Sequence, residues 1–310
     1  MLSQYILRRL ISFPFILIGL SSVIFVLLYV LPGDPARLMA GQGATAQVVA
    51  SIRHELGLDL PLPVQYGNYL WRVAHGDFDR SFQSHRPVLE EVGIVYPKTL
   101  QLALTAEALA VVAGVSLGLL ATLAEHRWIN YGLLSLSVLS LSLPLFWLAL
   151  ILQILFSLRL HWLPPSGYQM GLDKYILLPA VTLALPTAGY LARITHAAMS
   201  SMKEADFMRT AYAKGATRSR AVLRHLLPNA LVPIISVAGT DLSRLLAGIL
   251  IVETIFSWPG IGKYAYDALA QRDMPALQAA VLVFGGSVLL VNLIVDLLYT
   301  LANPTIRYGA

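Results

Sequence analysis

The stretch Ser201–Pro228, SMKEADFMRTAYAKGATRSRAVLRHLLP, decides how the rest of the chain is read. Its 28 residues carry six basic side chains (Lys203, Arg209, Lys214, Arg218, Arg220 and Arg224), with His225 beside them. Glu204 and Asp206 are its only acids, and long apolar runs lie on both sides. A charged, amphipathic island between membrane-length segments must lie in water. Its positive excess places it on the cytoplasmic side of a membrane.

The composition points the same way. Of 310 residues, 57% are hydrophobic and 13% charged, against about 25% charged in ordinary soluble domains. Disorder is excluded and a soluble globular fold is disfavoured. The net charge is +5, but the bases cluster in short loops rather than on one face, which argues against a nucleic-acid partner. The absence of Cys removes disulfides, thiolate metal ligands and Cys nucleophiles together. The seven His residues are scattered, with no pair at the helical spacing of a metal site.

A span needs about 20 mostly apolar residues, and six stretches qualify. Leu10–Leu31 is the first, preceded by Arg8 and Arg9 and followed by the rigid exit Leu31-Pro32-Gly33-Asp34-Pro35. It is too long for the apolar core of a signal peptide, about 7–15 residues, and reads as an anchor. Residues 32–98 form a polar elaboration with two short helices, one from the cap Thr45 through Leu56, with Val48, Val49, Ile52 and Leu56 on one side, and one near Val64–Ala74. The remaining spans are Thr99–Ala124, Ile129–Phe156, Tyr175–Met199 (interrupted by Pro179 and Pro186), Leu231–Val252 and Ala276–Ala302.

Six spans put both termini on one side. Assigned as cytoplasmic, that side holds Arg8, Arg9, Arg127, Arg193, the six bases of the island and Arg307, against Arg159, Lys174, Lys263 and Arg272 in the short outer loops. The asymmetry favours cytoplasmic N and C termini. The second span carries Ala106, Ala110, Gly114 and Gly118 at four-residue spacing, which lets another helix approach closely. Whether that neighbour belongs to this chain or another stays open at this level.

Catalytic motifs fail on inspection. Gly260-Ile261-Gly262-Lys263 looks like part of a phosphate loop, but Ser257 stands where the first Gly belongs and Tyr264 where Ser or Thr does. No nucleophile elbow is found. Charged residues within spans need an explanation, since each costs about 2.5–3.5 kcal/mol at a helix centre. Glu107, Asp241, Arg244 and Asp296 are such residues. Asp241 and Arg244 are three apart and close enough to pair on a helix. Glu107, Asp241 and Arg244 are therefore either a structural tie or part of a translocation path.

Within the island, Ser201-Met202-Lys203-Glu204 has the form of a capping box. A helix of about 14 residues is expected from Ser201, about 20 Å long, with Phe207, Met208, Ala211 and Tyr212 on one side and a stop at Gly215. A protein groove suits it better than a lipid surface, because its apolar face is modest and acids sit at its start.

These residues carry a resemblance. The island resembles the cytoplasmic loop of ABC-importer permeases, whose pattern is E-A-A, three residues, G, nine residues, I-x-L-P. Counting from Gly215 sets the triplet at Arg209-Thr210-Ala211 and the end at His225-Leu226-Leu227-Pro228. Glu, the first Ala and Ile of that pattern are thus Arg209, Thr210 and His225 here. R-T-A-x-A-K-G is similar to the peptide/nickel branch of these permeases, as are Leu31–Pro35, Trp162-Leu163-Pro164-Pro165-Ser166-Gly167-Tyr168, Glu253–Gly260 and Asn292–Tyr299.

The resemblance implies an all-α polytopic membrane protein with the type I ABC importer permease fold. It divides the chain into an N-terminal helix (1–31), a periplasmic elaboration (32–98) and a five-helix core (99–310) with a coupling loop at 200–229. It implies a non-catalytic subunit of the bacterial inner membrane that binds no cofactor of its own. Two partner ATPases hydrolyse ATP, and a homologous second permease and a solute-binding protein complete the importer. Arg209, Thr210, Ala211, Lys214, Gly215, Leu227 and Pro228 would form the ATPase-coupling element. The cargo implied is a di- or oligopeptide, with nickel, a metal chelate or glutathione as alternatives. A secondary transporter without an ATPase is the rival class. It would more often show a longer, repeat-built chain.

Overall fold

The computed structural model describes residues 2–30, 34–40, 43–55, 57–124, 126–171 and 173–302. Leu31, Pro32 and Gly33 of the expected exit turn, Leu56 and Arg307 lie outside these, as does the side chain of Asp296. The helices are α1 (Leu2–Val30), α2 (Pro35–Ala40), α3 (Ala46–Glu55), α4 (Leu62–Ala74), α5 (Val88–Leu123), α6 (Arg127–Ser142), α7 (Leu145–Leu152), α8 (Lys174–Ser201), α9 (Asp206–Ala213), α10 (Arg218–Ala221), α11 (Leu227–Ile255), α12 (Ile261–Gln271) and α13 (Met274–Ala302). π-helical turns at Gln153–Arg159 and Val222–Leu226 continue α7 and link α10 to α11. Among the described residues the only β pairing is an isolated bridge between Arg80 and Pro87.

Among the described residues, four stretches are long and apolar enough to cross a membrane as single helices: 88–123, 174–201, 233–255 and 274–295. The first expected span lies in α1, whose described apolar part is Ile11–Val26. Two expectations are corrected. The third span is not one continuous helix: it breaks between Ser142 and Leu145 and bends by 107°. Pro144 has no N–H to give and forces the residue before it out of helical geometry, and Leu143 accordingly sits at φ −83°, ψ 130°. The fourth span is not interrupted by its prolines, since α8 runs through Pro179 and Pro186. A packed membrane helix tolerates such residues because its neighbours re-satisfy the freed carbonyls.

The chain divides into two compact units, residues 1–98 with 260–289 and residues 99–259 with 290–310. In the second, α8 is the central helix, buried along most of its length and packed against α6, α7 and α11. Its contact with α5 answers the question raised by the small-residue stripe. A Cβ at Gly114 would lie 2.6 Å from Leu191 Cβ, and one at Gly118 would lie 2.6 Å from both the Ala192 carbonyl oxygen and Thr195 Cβ. The neighbour is α8 of the same chain. On another side of α8, Gly189 meets the Ser137 carbonyl of α6 at 2.5 Å from where a Cβ would stand.

In the first unit, α12 packs through Ile261, Ala265 and Ala268 on Val88 and Val92 of α5 and on Ala276, Ala279 and Ala280 of α13. The buried Asp273 ties this unit together: it accepts hydrogen bonds from Ser81 Oγ and from the Phe82 N–H (3.1 Å). Tyr264 donates to Glu91 Oε2 at 2.7 Å; burial, reinforced by that carboxylate, raises its phenol above the ordinary value. Ser21 and Ser22 of α1 both lie within hydrogen-bond distance of the Tyr66 hydroxyl on α4. The helix expected from Thr45 is α3, and the Val48 N–H reaches Thr45 Oγ1 at 3.5 Å.

The packing of α5 on α8 leaves no room for a side chain. Gly118→Ala is expected to cost about 1–3 kcal/mol through overpacking, and Gly118→Leu more. Gly132, with nothing within 4 Å of its Cβ position, supplies the control: Gly132→Ala should leave thermal stability and membrane abundance unchanged. Thermal unfolding of the purified variants decides.

Candidate functional site

The basic island folds differently from its expected capping box. α8 ends at Ser201, whose hydroxyl bonds back to the Ala198 carbonyl at 2.9 Å. The chain then turns through 202–205, and α9 begins at Asp206 with Ala205 as its cap residue. A helix of eight residues therefore replaces the expected 14, about 12 Å long at 1.5 Å per residue. The short polar turn wins because Ser201 already satisfies the last turn of α8. Lys203, freed from that box, donates from Nζ to the Thr122 carbonyl at 3.3 Å, where a cation suits the C-terminal end of α5. Burial, with the Arg218 charge nearby, lowers its pKa from the ordinary lysine value.

The stop at Gly215 forms. Its φ is +80°, a region that costs other residues about 1–2 kcal/mol. The Gly215 N–H donates to the Tyr212 carbonyl at 2.9 Å and the Ala216 N–H to the Ala211 carbonyl at 3.1 Å. These are the two hydrogen bonds of a Schellman motif. Nothing lies within 4 Å of a Cβ built there, so the demand for glycine comes from the backbone alone.

The expected apolar face splits in two. Met208 and Ala211 are buried with Met199, Ala221, Val222, Leu226, Ala230 and Ile234, and Leu119 and Leu123 pack against this cluster. Two side chains one turn apart thus clamp α9 to the ends of α5, α8 and α11. Phe207 and Tyr212 flank this stripe and are exposed instead. Arg209, Thr210 and Lys214 are exposed as well, with Thr210 Oγ1 bonded back to the Asp206 carbonyl at 2.9 Å. Leu227 is half-buried and Pro228 exposed in the first turn of α11, a position that proline favours. Of the seven coupling residues, Ala211 faces inward and Arg209, Thr210, Lys214 and Gly215 share one outer surface.

The charged residues within spans also meet. Asp241 is buried and pairs with Arg244 at 3.2 Å. The Arg244 side chain is 67% exposed, and its guanidinium lies 5.2 Å from the ring centroid of Tyr190 on α8. Asp241, Arg244 and Tyr190 line a cavity of about 260 Å³ with Leu143, Pro186 and Gly248. Both Glu107 oxygens and Asp241 Oδ2 are buried without a hydrogen-bond partner among the described residues. The break at Pro144 places Leu143 and Leu145 on this cavity.

Two buried acids escaped the sequence reading, Asp273 described above and Glu253. The fifth span was ended at Val252, but α11 continues to Ile255, and Glu253 is fully buried, accepting from Thr99 Oγ1 at 2.7 Å. The loop beyond it is packed: the Gly167 N–H donates to the Phe256 carbonyl at 2.9 Å, and Tyr168 meets the buried Trp258 edge-on at 4.9 Å. The apolar run Ile255, Phe256 and Trp258 after Glu253 was the available signal.

Comparison with known proteins decides the family. Residues 114–308 match the family described as the inner membrane component of binding-protein-dependent transport systems, and residues 1–103 match its N-terminal region. The chain belongs to this family. It is 40% identical over 305 residues to the glutathione transport system permease protein GsiC of Salmonella typhi, covering 98% of this chain and 99% of the other. It is 39% identical over 314 residues to a Brucella melitensis protein provisionally named a peptide transport system permease protein, covering 99% and 100%. Its fold is similar to that of the inward-facing MetNI methionine ABC transporter (TM-score 0.59, 17% identity, 70% of this chain and 99% of that one). A crystal structure of an amino acid ABC transporter with histidines is also similar (TM-score 0.54, 16% identity, 68% and 93%). The chain is thus a multi-pass permease of the inner membrane with the ABC importer permease fold, a non-catalytic component of a binding-protein-dependent transport system.

The exposure of Arg244 separates structure from transport at the carboxylate pair. Removing Asp241 leaves Arg244 at the surface of this chain beside Tyr190, so no uncompensated charge is left inside the helix packing. Asp241→Ala is expected to slow uptake severalfold while membrane abundance stays at the wild-type level. Parallel immunoblots of membranes and uptake rates check this; equal loss of both would make the pair purely structural.

Proposed function

We propose that this permease is one of two homologous membrane subunits of an ATP-driven importer of short peptides, with α9 as the element that couples it to an ATPase. The observation that carries the reading is the build of α9. Met208 and Ala211 clamp it to three spans, a Schellman turn ends it, and Arg209, Thr210, Lys214, Phe207 and Tyr212 stay outside. A docking element must be stiff and must present side chains that its own protein does not use. The exposed mix of aromatic and basic groups suits a protein groove. Leu227 and Pro228 start the span that carries its motion inward.

In this reading the N and C termini are cytoplasmic and two ATPases hydrolyse ATP below the membrane, while this chain binds no cofactor. Residues 1–31 embrace the second permease, the 32–98 elaboration and the 253–275 segment, which holds α12 rather than the loop expected there, face the solute-binding protein, and residues 99–310 form the core with its coupling loop at 200–229. Glu107, Asp241 and Arg244 lie along the translocation path. The peptide cargo is supported by the Brucella relative's name. A second cargo has its own support: the Salmonella relatives are named for glutathione, itself a short peptide with free carboxylates.

Two experiments test this. Gly215→Val should lose ATPase copurification and ATPase stimulation by at least tenfold while remaining in the membrane, whereas Gly215→Asn, which tolerates positive φ, should retain both. Unchanged coupling in Gly215→Val removes α9 from the role. For cargo, uptake of a labelled dipeptide by cells expressing the importer should be competed by unlabelled di- and tripeptides. Competition by glutathione alone would select the second cargo.

A further inference from the structure

The unit formed by residues 1–98 and 260–289 contains a cavity of about 400 Å³ that neither the island nor the carboxylate pair uses. This volume is within the range of small-molecule sites, about 300–1,000 Å³. Phe25, Phe78 and Phe82 supply an apolar lining, and Arg53, Arg72 and Asp77 supply charge.

The charges are only partly spent. Arg53 pairs with Asp34, and Arg72 pairs with Asp79 at 2.8 Å. Each of these acids uses its other oxygen on the backbone, Asp34 on the Ala36 N–H (3.1 Å) and Asp79 on the Arg80 N–H (2.8 Å). A guanidinium has five N–H donors, so both arginines keep donors in reserve. Asp77 accepts from the Asp79 N–H through Oδ1 at 3.0 Å, and its Oδ2 accepts no hydrogen bond among the described residues. Tyr69 also lines the cavity and is 7% exposed, and its buried hydroxyl has no hydrogen-bond partner among the described residues. Burial, reinforced by Tyr66, raises its pKa above the ordinary phenol value and keeps it a donor. A buried hydroxyl left unmatched is costly, and a bound acceptor would relieve that cost.

We propose that this cavity is a binding site for a short peptide with free termini. The spare guanidinium donors of Arg53 and Arg72 take its carboxylate, Asp77 takes its ammonium, the three phenylalanines take an apolar side chain, and the Tyr69 hydroxyl takes a peptide carbonyl. The complementarity asks for a zwitterion with an apolar part. The choice of a peptide among such zwitterions rests on the cargo proposed above, whereas the site itself rests on the cavity and its unmatched groups.

The test uses the full-length permease in lipid nanodiscs without a solute-binding protein, titrated calorimetrically with the dipeptide Ala-Phe. Saturable one-to-one binding is expected, at least tenfold weaker for N-acetyl-Ala-Phe and for Ala-Phe amide. Asp77→Asn and Tyr69→Phe should each weaken it about fivefold, the effect of losing one hydrogen bond of about 1 kcal/mol, with unchanged melting temperatures showing intact folding. Absence of saturable binding overturns the site, as does equal binding by the blocked peptides or by both variants. Indifference to both termini would point instead to a segment of the solute-binding protein as the occupant. Dipeptide uptake without binding here rejects the site and leaves the importer reading standing; binding without peptide uptake does the reverse.

Discussion

Everything in the 99–259 unit depends on how closely α5 and α6 approach α8. Inside a bilayer, helices gain little from leaving lipid, because the tails are as apolar as the side chains. Association must come from van der Waals contact, and contact is closest where one surface has no Cβ. Gly114 and Gly118 on α5, and Gly189 on α8 itself, provide that absence at positions where a methyl group would collide with backbone. The stripe thus fixes the axis of α8. Because α8 ends at Ser201 with Met199 in the cluster that grips Met208 and Ala211, the same packing sets where α9 stands.

A second constraint governs the charges. An acid in the membrane must find a partner or a wet cavity, and this unit shows three solutions in three places. Glu253 takes a hydrogen bond from Thr99. Asp241 takes Arg244, whose head reaches out of the protein. Glu107 takes nothing from the described residues through either oxygen. The first is satisfied and has a structural look. Asp241 belongs to a cavity lined also by the residues around the Pro144 break, and its Oδ2 finds no partner among the described residues, so unsatisfied polarity and irregular backbone coincide there, as they do where a membrane protein keeps space for something else.

Much of this was legible in the sequence. Apolar run length found the spans, four-residue spacing found the small-residue stripe, and i,i+3 spacing found the Asp241–Arg244 pair. The failures share a cause: local signals were outvoted by packing. Ser201 and Glu204 match a capping box, yet the last turn of α8 claimed Ser201. Pro179 and Pro186 read as breaks but sit in the best-packed helix, while Pro144, which was passed over, breaks its own. Phe207 and Tyr212 share a helical side with Met208 and Ala211, but the cluster accepts only the inner two. Apolar run length ends the fifth span at Val252 and leaves out Glu253, although the helix runs on to Ile255. The cavity around Tyr69 had no sequence signal, since its lining comes from α1, α3, α4 and the start of α13.

The departures from the E-A-A pattern can be weighed position by position. Ala211 is clamped in the cluster, where a larger side chain would push α9 off the spans. Gly215 is required by its positive φ. Both are backbone or volume demands, indifferent to what is transported. Arg209 and Thr210 stand where the pattern has Glu and Ala, and both are exposed, with the Thr210 hydroxyl already satisfied by its own helix. Among the described residues no other element holds either side chain, so their identity answers to whatever docks outside. On the proposed reading, the inner half of the motif holds the lever and the outer half matches one ATPase. A charge reversal from Glu to Arg there calls for an acidic counterpart in that ATPase's groove.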